Sequence, residues 1–467
     1  MHASADTPPS SATHATDFLS RLMRAPLPLL LLALQLPLIL NPGYFSHDEL
    51  QWWARADVPT WSDLPWVPWL DLSPLQYRPL TFNLWLVLAH AFAATPWLMH
   101  LVFVALGTFN AWLLARVLAG ARVPTSVCRA TAIVFALSPS VVYVHGWTGT
   151  LADVLTLGFA LIAAGIIQHA KAGDDILTTT ARSLGVAAMI VLALLCKESA
   201  IVLPALLAFS AFRQPTVRTP TFGIAFAGAA VVVYLALRLP ILATSGSANP
   251  AYAWSLGNLP PRLVEYLLYP FVPPLFEISS LLNAGVARLA VVAVCPASLL
   301  WALARRTWRW PAAWLAGFMV ALAPVLVLPV AYNHYAYLAS ALAVAIAAAA
   351  WPSLAPRPRA VLAILAATVV VHGGVVMWRM VDAGIVERNL HADLLEIVQR
   401  EPDAPIVVAA VDRRDNWLVQ RLLHQVGRYR GVSLRTVRDG VDTSEPAAGT
   451  LKLRMDRRGH LSAEPGS

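Results

Sequence analysis

From residue 25 to residue 380, apolar runs of span length alternate with short polar breaks. A helix needs about twenty mostly apolar residues to cross a bilayer, and fewer when its ends are anchored. By that measure the pattern predicts about eleven spans. They fall at residues 25–40, 97–118, 130–144, 151–169, 183–195, 200–212, 222–239, 286–304, 312–330, 338–351 and 360–378. The run 80–94 ends at Thr95-Pro96 and reads as a helix lying in the interface. Beyond residue 380 the pattern changes. Residues 385–400 and 417–426 have helical periodicity, whereas 406–411, 432–437 and 451–455 are strand-like runs. The fold class expected is therefore a polytopic α-helical membrane protein with a small C-terminal α/β domain at 381–467.

Composition agrees. Of 467 residues, 58% are hydrophobic and only 13% charged, against roughly a quarter in soluble domains. The formal net charge of +8 invites a nucleic-acid partner, but its placement argues for topology instead. With a cytoplasmic N-terminus, Arg21/Arg24, Arg116/Arg122/Arg129, Lys171/Arg182, Arg213/Arg218, Arg305/Arg306/Arg309 and Arg357/Arg359 share the cytoplasmic side, as the positive-inside rule requires. This holds only if 80–94 is not a span. The acidic residues collect on the opposite, periplasmic face, where the tail also falls. Residues 1–24 are polar and expected to be disordered in the cytoplasm; the run that follows lacks a small-residue cleavage site and reads as a retained anchor. Cys128, Cys196 and Cys295 lie far apart and match neither a metal spacing nor a disulfide framework.

The outer loop 41–79 breaks the apolar pattern most sharply. It carries His47-Asp48-Glu49, then Asp57, Asp63 and Asp71, then Tyr77-Arg78-Pro79, amid five tryptophans. A carboxylate beside the bilayer could take a proton from an incoming hydroxyl as a general base. The plain alternative is that Asp48 and Glu49 sit in the first turn of a helix, where acidic residues are favoured. Arg78 could clamp a phosphate or merely snorkel to headgroups. Asp153 opens an apolar helix, where an ionisable group needs a partner or a task, and His145 lies just before it. Lys197-Glu198 could neutralise each other in a turn or face a cavity. His334 and Tyr335 lie in Tyr332-Asn333-His334-Tyr335, where tyrosines at a membrane boundary are ordinary. Asp48 and Glu49 could hold a divalent ion, but two ligands are too few to argue a metal site.

Taken together, these motifs resemble the GT-C superfamily of glycosyltransferases. Within it they are most similar to the protein O-mannosyltransferase-like enzymes and to the membrane part of the transmembrane and tetratricopeptide O-mannosyltransferases. The matching pieces are Asp48-Glu49, Tyr77-Arg78-Pro79-Leu80-Thr81, Phe135-Ala136-Leu137-Ser138-Pro139, Gly149-Thr150-Leu151-Ala152-Asp153, Cys196-Lys197-Glu198 and Tyr335-Ala336-Tyr337-Leu338. The resemblance implies a GT-C fold over roughly residues 25–380 in a bacterial inner membrane, with loop 41–79 catalytic and periplasmic. It implies an inverting hexosyl transfer from a polyprenyl-phosphate-linked sugar to a hydroxyl of a protein, glycan or lipid. Asp48 would be the base and Glu49 its assistant. Arg78, Tyr77 and Lys197 would meet the donor phosphate, with Glu198, Asp153, His145, His334 and Tyr335 around the substrate. Relatives often carry a basic residue in Gly-Arg-Ala-Asp that this chain lacks. The runner-up is a transporter or flippase of a lipid-linked sugar. Transporters tend to show inverted repeats and helices broken at mid-depth, whereas the charges here gather near one end of the spans.

Overall fold

A computed structural model describes residues 26–171, 173–211, 218–244, 250–412, 416–423, 428–429, 432–436 and 450–463. The expected disordered segment 1–24, with Arg21 and Arg24, lies outside the described residues, as does Arg213.

All eleven apolar segments contain helix. Among the described residues, eight helices are long and apolar enough to cross a membrane, from Pro96–Gly120 to Pro356–Arg400. The expected span 130–144 is instead two helices, α6 (Thr125–Ala136) and α7 (Pro139–Gly146), bent by 62°. Pro139 has no N–H to continue the first helix, yet its fixed φ suits the first position of the next. Two further segments are short. The first is split at Gln35 into α1 (Leu27–Leu34) and α2 (Leu36–Ile39). The other is α10 (Leu203–Ala211). The run read as interfacial forms α4 (Pro79–Phe92), a 14-residue helix with Pro79 at its first position.

In the last helix, α17 (Pro356–Arg400), the expected span and the expected first tail helix are one element of 45 residues. At 1.5 Å per residue it is about 68 Å long, more than twice the hydrocarbon core of about 30 Å. Nothing between residues 378 and 385 breaks it, because the segment contains neither proline nor a left-handed glycine. Its distal part supplies Val386, Leu390, Leu394 and Val398 to the core of the tail.

The tail sheet has the order β2-β3-β1-β4-β5. Its central strand β1 (Ile406–Ala410) runs parallel to β3 (Val432–Thr436) and β4 (Leu451–Met455). The edges β2 (Arg428–Tyr429) and β5 (Leu461–Ala463) pair antiparallel. One helix, α18 (Asn416–Leu423), follows β1 and buries Val419, Leu422 and Leu423 against the sheet. Leu50 of the outer loop joins the same core, which ties the tail to that loop.

Candidate functional site

The outer loop begins on a close approach to α17. A Cβ added to Gly43 would lie 2.1 Å from the carbonyl oxygen of Gly384, and one on Gly384 would lie 1.8 Å from Asn41 Oδ1. Only glycine leaves room at either position. Asn41 donates to the Met380 carbonyl (3.2 Å), and the Tyr44 amide donates to Glu387 Oε2 (2.9 Å). With its entry held, the loop turns at Ser46 into α3 (His47–Ala56).

On α3 the two adjacent carboxylates part company. Consecutive helical residues point about 100° apart, so one faces outward and the other inward. Glu49 is 1% exposed. It accepts from the amides of Phe45 (2.9 Å), Ser46 (2.6 Å) and Thr148 (3.0 Å) and from the Thr148 hydroxyl (3.0 Å). Burial pushes its carboxyl up to about 8, while these donors pull the other way. Glu49 thus closes the first turn of α3 and pins Thr148 to the loop. Its oxygens are taken, so the Asp48–Glu49 pair does not chelate a metal. Asp48 instead lines a cavity of about 840 Å³. Burial raises its pKa, against the lowering effect of His47 and Arg421.

The same cavity receives Arg78, Asp153, Lys197, His334 and Tyr335. Arg78 precedes α4 and pairs with Glu198 through Nε (2.9 Å to Oε2) and Nη2 (2.7 Å). Its Nη1 makes no hydrogen bond among the described residues. Lys197 is ion-paired with Asp153, which stands in the first turn of α8 (Leu151–Gln168). The Lys197 ammonium also lies over the Tyr335 ring at 5.0 Å. Of the two readings of Lys197-Glu198, mutual neutralisation gives way to two crossed pairs, Arg78–Glu198 and Lys197–Asp153, and Lys197 faces the cavity. Aromatic rings form the wall between them and Asp48. Trp147 meets His334 at 5.2 Å and Tyr143 at 5.7 Å, and His334 meets Tyr335 at 4.4 Å.

Two more expected site residues stand behind the wall. The Tyr77 hydroxyl donates to the Trp69 carbonyl (2.5 Å) while its ring receives Arg238 at 5.5 Å, so it braces the loop. Arg238, fully buried, donates to the carbonyls of Leu72, Pro74 and Leu75 and holds the approach to Arg78. His145 is wholly buried between Gln35 (2.6 Å) and the Tyr337 hydroxyl (3.1 Å). Its ring fills the space left by Gly107, where a Cβ would come within 2.2 Å of it. Glu198 does not line the large cavity and meets it through Arg78, but it does line a smaller cavity beside it.

A second cavity of about 340 Å³ adjoins the first and is mainly apolar, bounded by Leu239, Leu242, Trp254, Val325 and Leu328. The two share Gln76, Arg78, Lys197, Tyr252 and Tyr335.

Sequence reasoning missed Arg421, Tyr252 and Trp147 as wall residues. Arg421 of α18 pairs with Glu277, donates from Nη2 to the Tyr143 hydroxyl (2.8 Å), and lies over the Phe45 ring at 3.7 Å. Glu277 is held there by Asn333, whose Oδ1 accepts from the Ile278 amide (2.8 Å) and whose Nδ2 donates to the Phe276 carbonyl (2.9 Å). Nothing local in the tail marks Arg421; its partners lie more than a hundred residues away. Among the described residues no group of three or more His, Cys, Asp or Glu side chains is arranged to hold a metal ion.

No family model and no curated protein matches the chain. It is similar to the crystal structure of ArnT from Cupriavidus metallidurans bound to undecaprenyl phosphate, at 12% identity and a TM-score of 0.49, over 88% of this chain and 86% of that one. It is also similar to ArnT from the same organism in the apo state, at 13% identity and a TM-score of 0.47, over 92% and 87%.

Proposed function

We propose that this polytopic membrane protein is a GT-C-type glycosyltransferase of a bacterial inner membrane. It would transfer a hexose from a polyprenyl-phosphate-linked donor to an acceptor hydroxyl on the periplasmic face, with inversion at the sugar C1. The observation that carries the reading is the pair of joined cavities. One carries charged side chains of both signs among aromatic rings, the other is almost wholly apolar, and their shared boundary is Arg78, Lys197, Gln76, Tyr252 and Tyr335. An amphiphile with an anionic head and a hydrocarbon tail matches both chambers, and a soluble sugar nucleotide would leave the apolar one unused.

In this reading the lipid chain occupies the apolar chamber and its phosphate meets Arg78 and Lys197. The sugar projects into the larger chamber beside the aromatic wall. Asp48 takes the proton of the acceptor hydroxyl as its oxygen bonds to C1. The C1–O bond to phosphate breaks, and its electron pair leaves on the lipid phosphate. Charge develops on that phosphate, so preorganised cations there contribute the larger share of catalysis. Glu198 and Asp153 neutralise the two cations while the site is empty, which limits the cost of holding them in apolar surroundings.

The test is sugar transfer by the purified protein in lipid, with polyprenyl-phosphate sugars as donors. Transfer by the wild type that collapses in Asp48→Asn supports the enzyme. Movement of the donor across the bilayer without transfer would replace it with a flippase.

A further inference from the structure

The C-terminal domain does more than cover the cavity, since one of its helices reaches the residue read above as the base. His47 donates from Nδ1 to the main-chain carbonyl of Arg421 (2.9 Å). With Nδ1 donating to that carbonyl, the other ring nitrogen, Nε2, lies 3.3 Å from Asp48 Oδ1 and donates to the carboxylate only when the ring is doubly protonated. The Arg421 guanidinium is held from three sides, by Glu277, by the Tyr143 hydroxyl and by Phe45, whose carbonyl accepts from Nε at 3.3 Å. Both parts of one tail residue therefore reach the Asp48 neighbourhood, the main chain through His47 and the side chain by lining the same cavity as Asp48.

We propose that Arg421 is a positioning residue of the active site: the tail helix α18 orients the His47 ring against Asp48 and keeps a fixed positive charge beside that carboxylate. This deepens the glycosyltransferase reading and rests on Asp48 being its base. The charged and titratable groups that share the cavity with Asp48 are His47 and Arg55 on its own helix, Arg421 on α18 with Glu277 and Tyr143, and, from the other elements, Arg78, Asp153, Lys197 and His334. Glu49 points away into its cage of donors. Arg421 favours the ionised carboxylate, and a base must be ionised to act. Removing the guanidinium also leaves Glu277 without its cation, and that added negative charge pushes in the same direction. The acid side of the rate profile should then move to higher pH.

The experiment is the pH dependence of kcat/KM for sugar transfer by the full-length protein in lipid, comparing wild type, Arg421→Ala, Arg421→Lys and Asp48→Asn. Arg421→Ala keeps the carbonyl that holds His47 and removes the charge together with the side-chain contacts to Glu277, Tyr143 and Phe45; Arg421→Lys restores the charge without that full set of contacts. The acid limb of Arg421→Ala is expected to move to higher pH, and Arg421→Lys is expected to bring it back toward wild type. If Arg421→Ala lowers the rate equally at every pH, the residue only docks the tail and the proposal is overturned. An Arg421→Ala profile that superimposes on wild type overturns it equally. Full transfer by Asp48→Asn would instead overturn the base assignment beneath it, a result distinguishable from either.

Discussion

Arg78, Glu198, Lys197 and Asp153 sit where membrane helices meet, and there each cation has a carboxylate of its own. Asp48, His47, Glu277 and Arg421 come from loops and the tail. The contrast is sharpest between Lys197 and Asp153, 6% and 10% exposed, and Asp48 at 36%, while Arg78 and Glu198, at 17% and 19%, are as covered as Arg421 at 17%. A buried pair loses much when one partner goes, because the survivor is left charged in a poor solvent. A half-exposed group is rehydrated at little cost. The deep cluster should thus be both structure and chemistry, and the outer cluster mainly chemistry.

The largest expected effect tests the outer cluster. Asp48→Asn should lower transfer by about two to four orders of magnitude while leaving the thermal midpoint in detergent where it was. A large drop in that midpoint would make Asp48 structural and remove the contrast.

Lys197→Met comes next and should behave differently. It leaves Asp153 buried and unpaired, at a cost of about 3–5 kcal/mol, seen as a lower midpoint together with lost transfer. In the double variant Lys197→Met/Asp153→Leu, stability should return and transfer should not. Recovery of both would mean that the deep cluster is structural only.

Glu49→Gln sharpens the difference between neighbours on one helix. The amide puts an N–H₂ among groups that all donate, so stability should fall by about 1–3 kcal/mol. Transfer should fall through the displaced loop, and the pH profile of what remains should keep its shape. A shifted acid limb would return Glu49 to the chemistry.

The smallest effect is expected at Glu277→Gln, whose partner Arg421 keeps Tyr143 and Phe45. The pair is partly exposed, so its loss should change stability by about 0–1 kcal/mol, measured by the same thermal midpoint. A loss on the Lys197 scale would place Glu277 with the deep cluster.

Much of the architecture is legible in the order of residues. Span-length apolar runs, proline at the first turns of α4 and α7, and the β-branched runs of the tail each act over a few neighbours. The sequence also led to Asp48, Arg78, Asp153, Lys197, His334 and Tyr335, all of which line one cavity. It did not separate Asp48 from Glu49, nor tell Lys197's partner from the glutamate beside it. In both cases the answer depends on which face of a turn meets another element.

Sequence alone therefore determined that this chain is a bundle of membrane helices carrying a charged outer loop and a soluble tail, because hydropathy and helix propensity act locally along the chain. Only the tertiary structure decided which carboxylate is caged and which is open, which ions pair, and that Arg421 reaches the outer loop. Those outcomes depend on packing between segments 44 to 376 residues apart, where a few ångströms decide whether two charges meet.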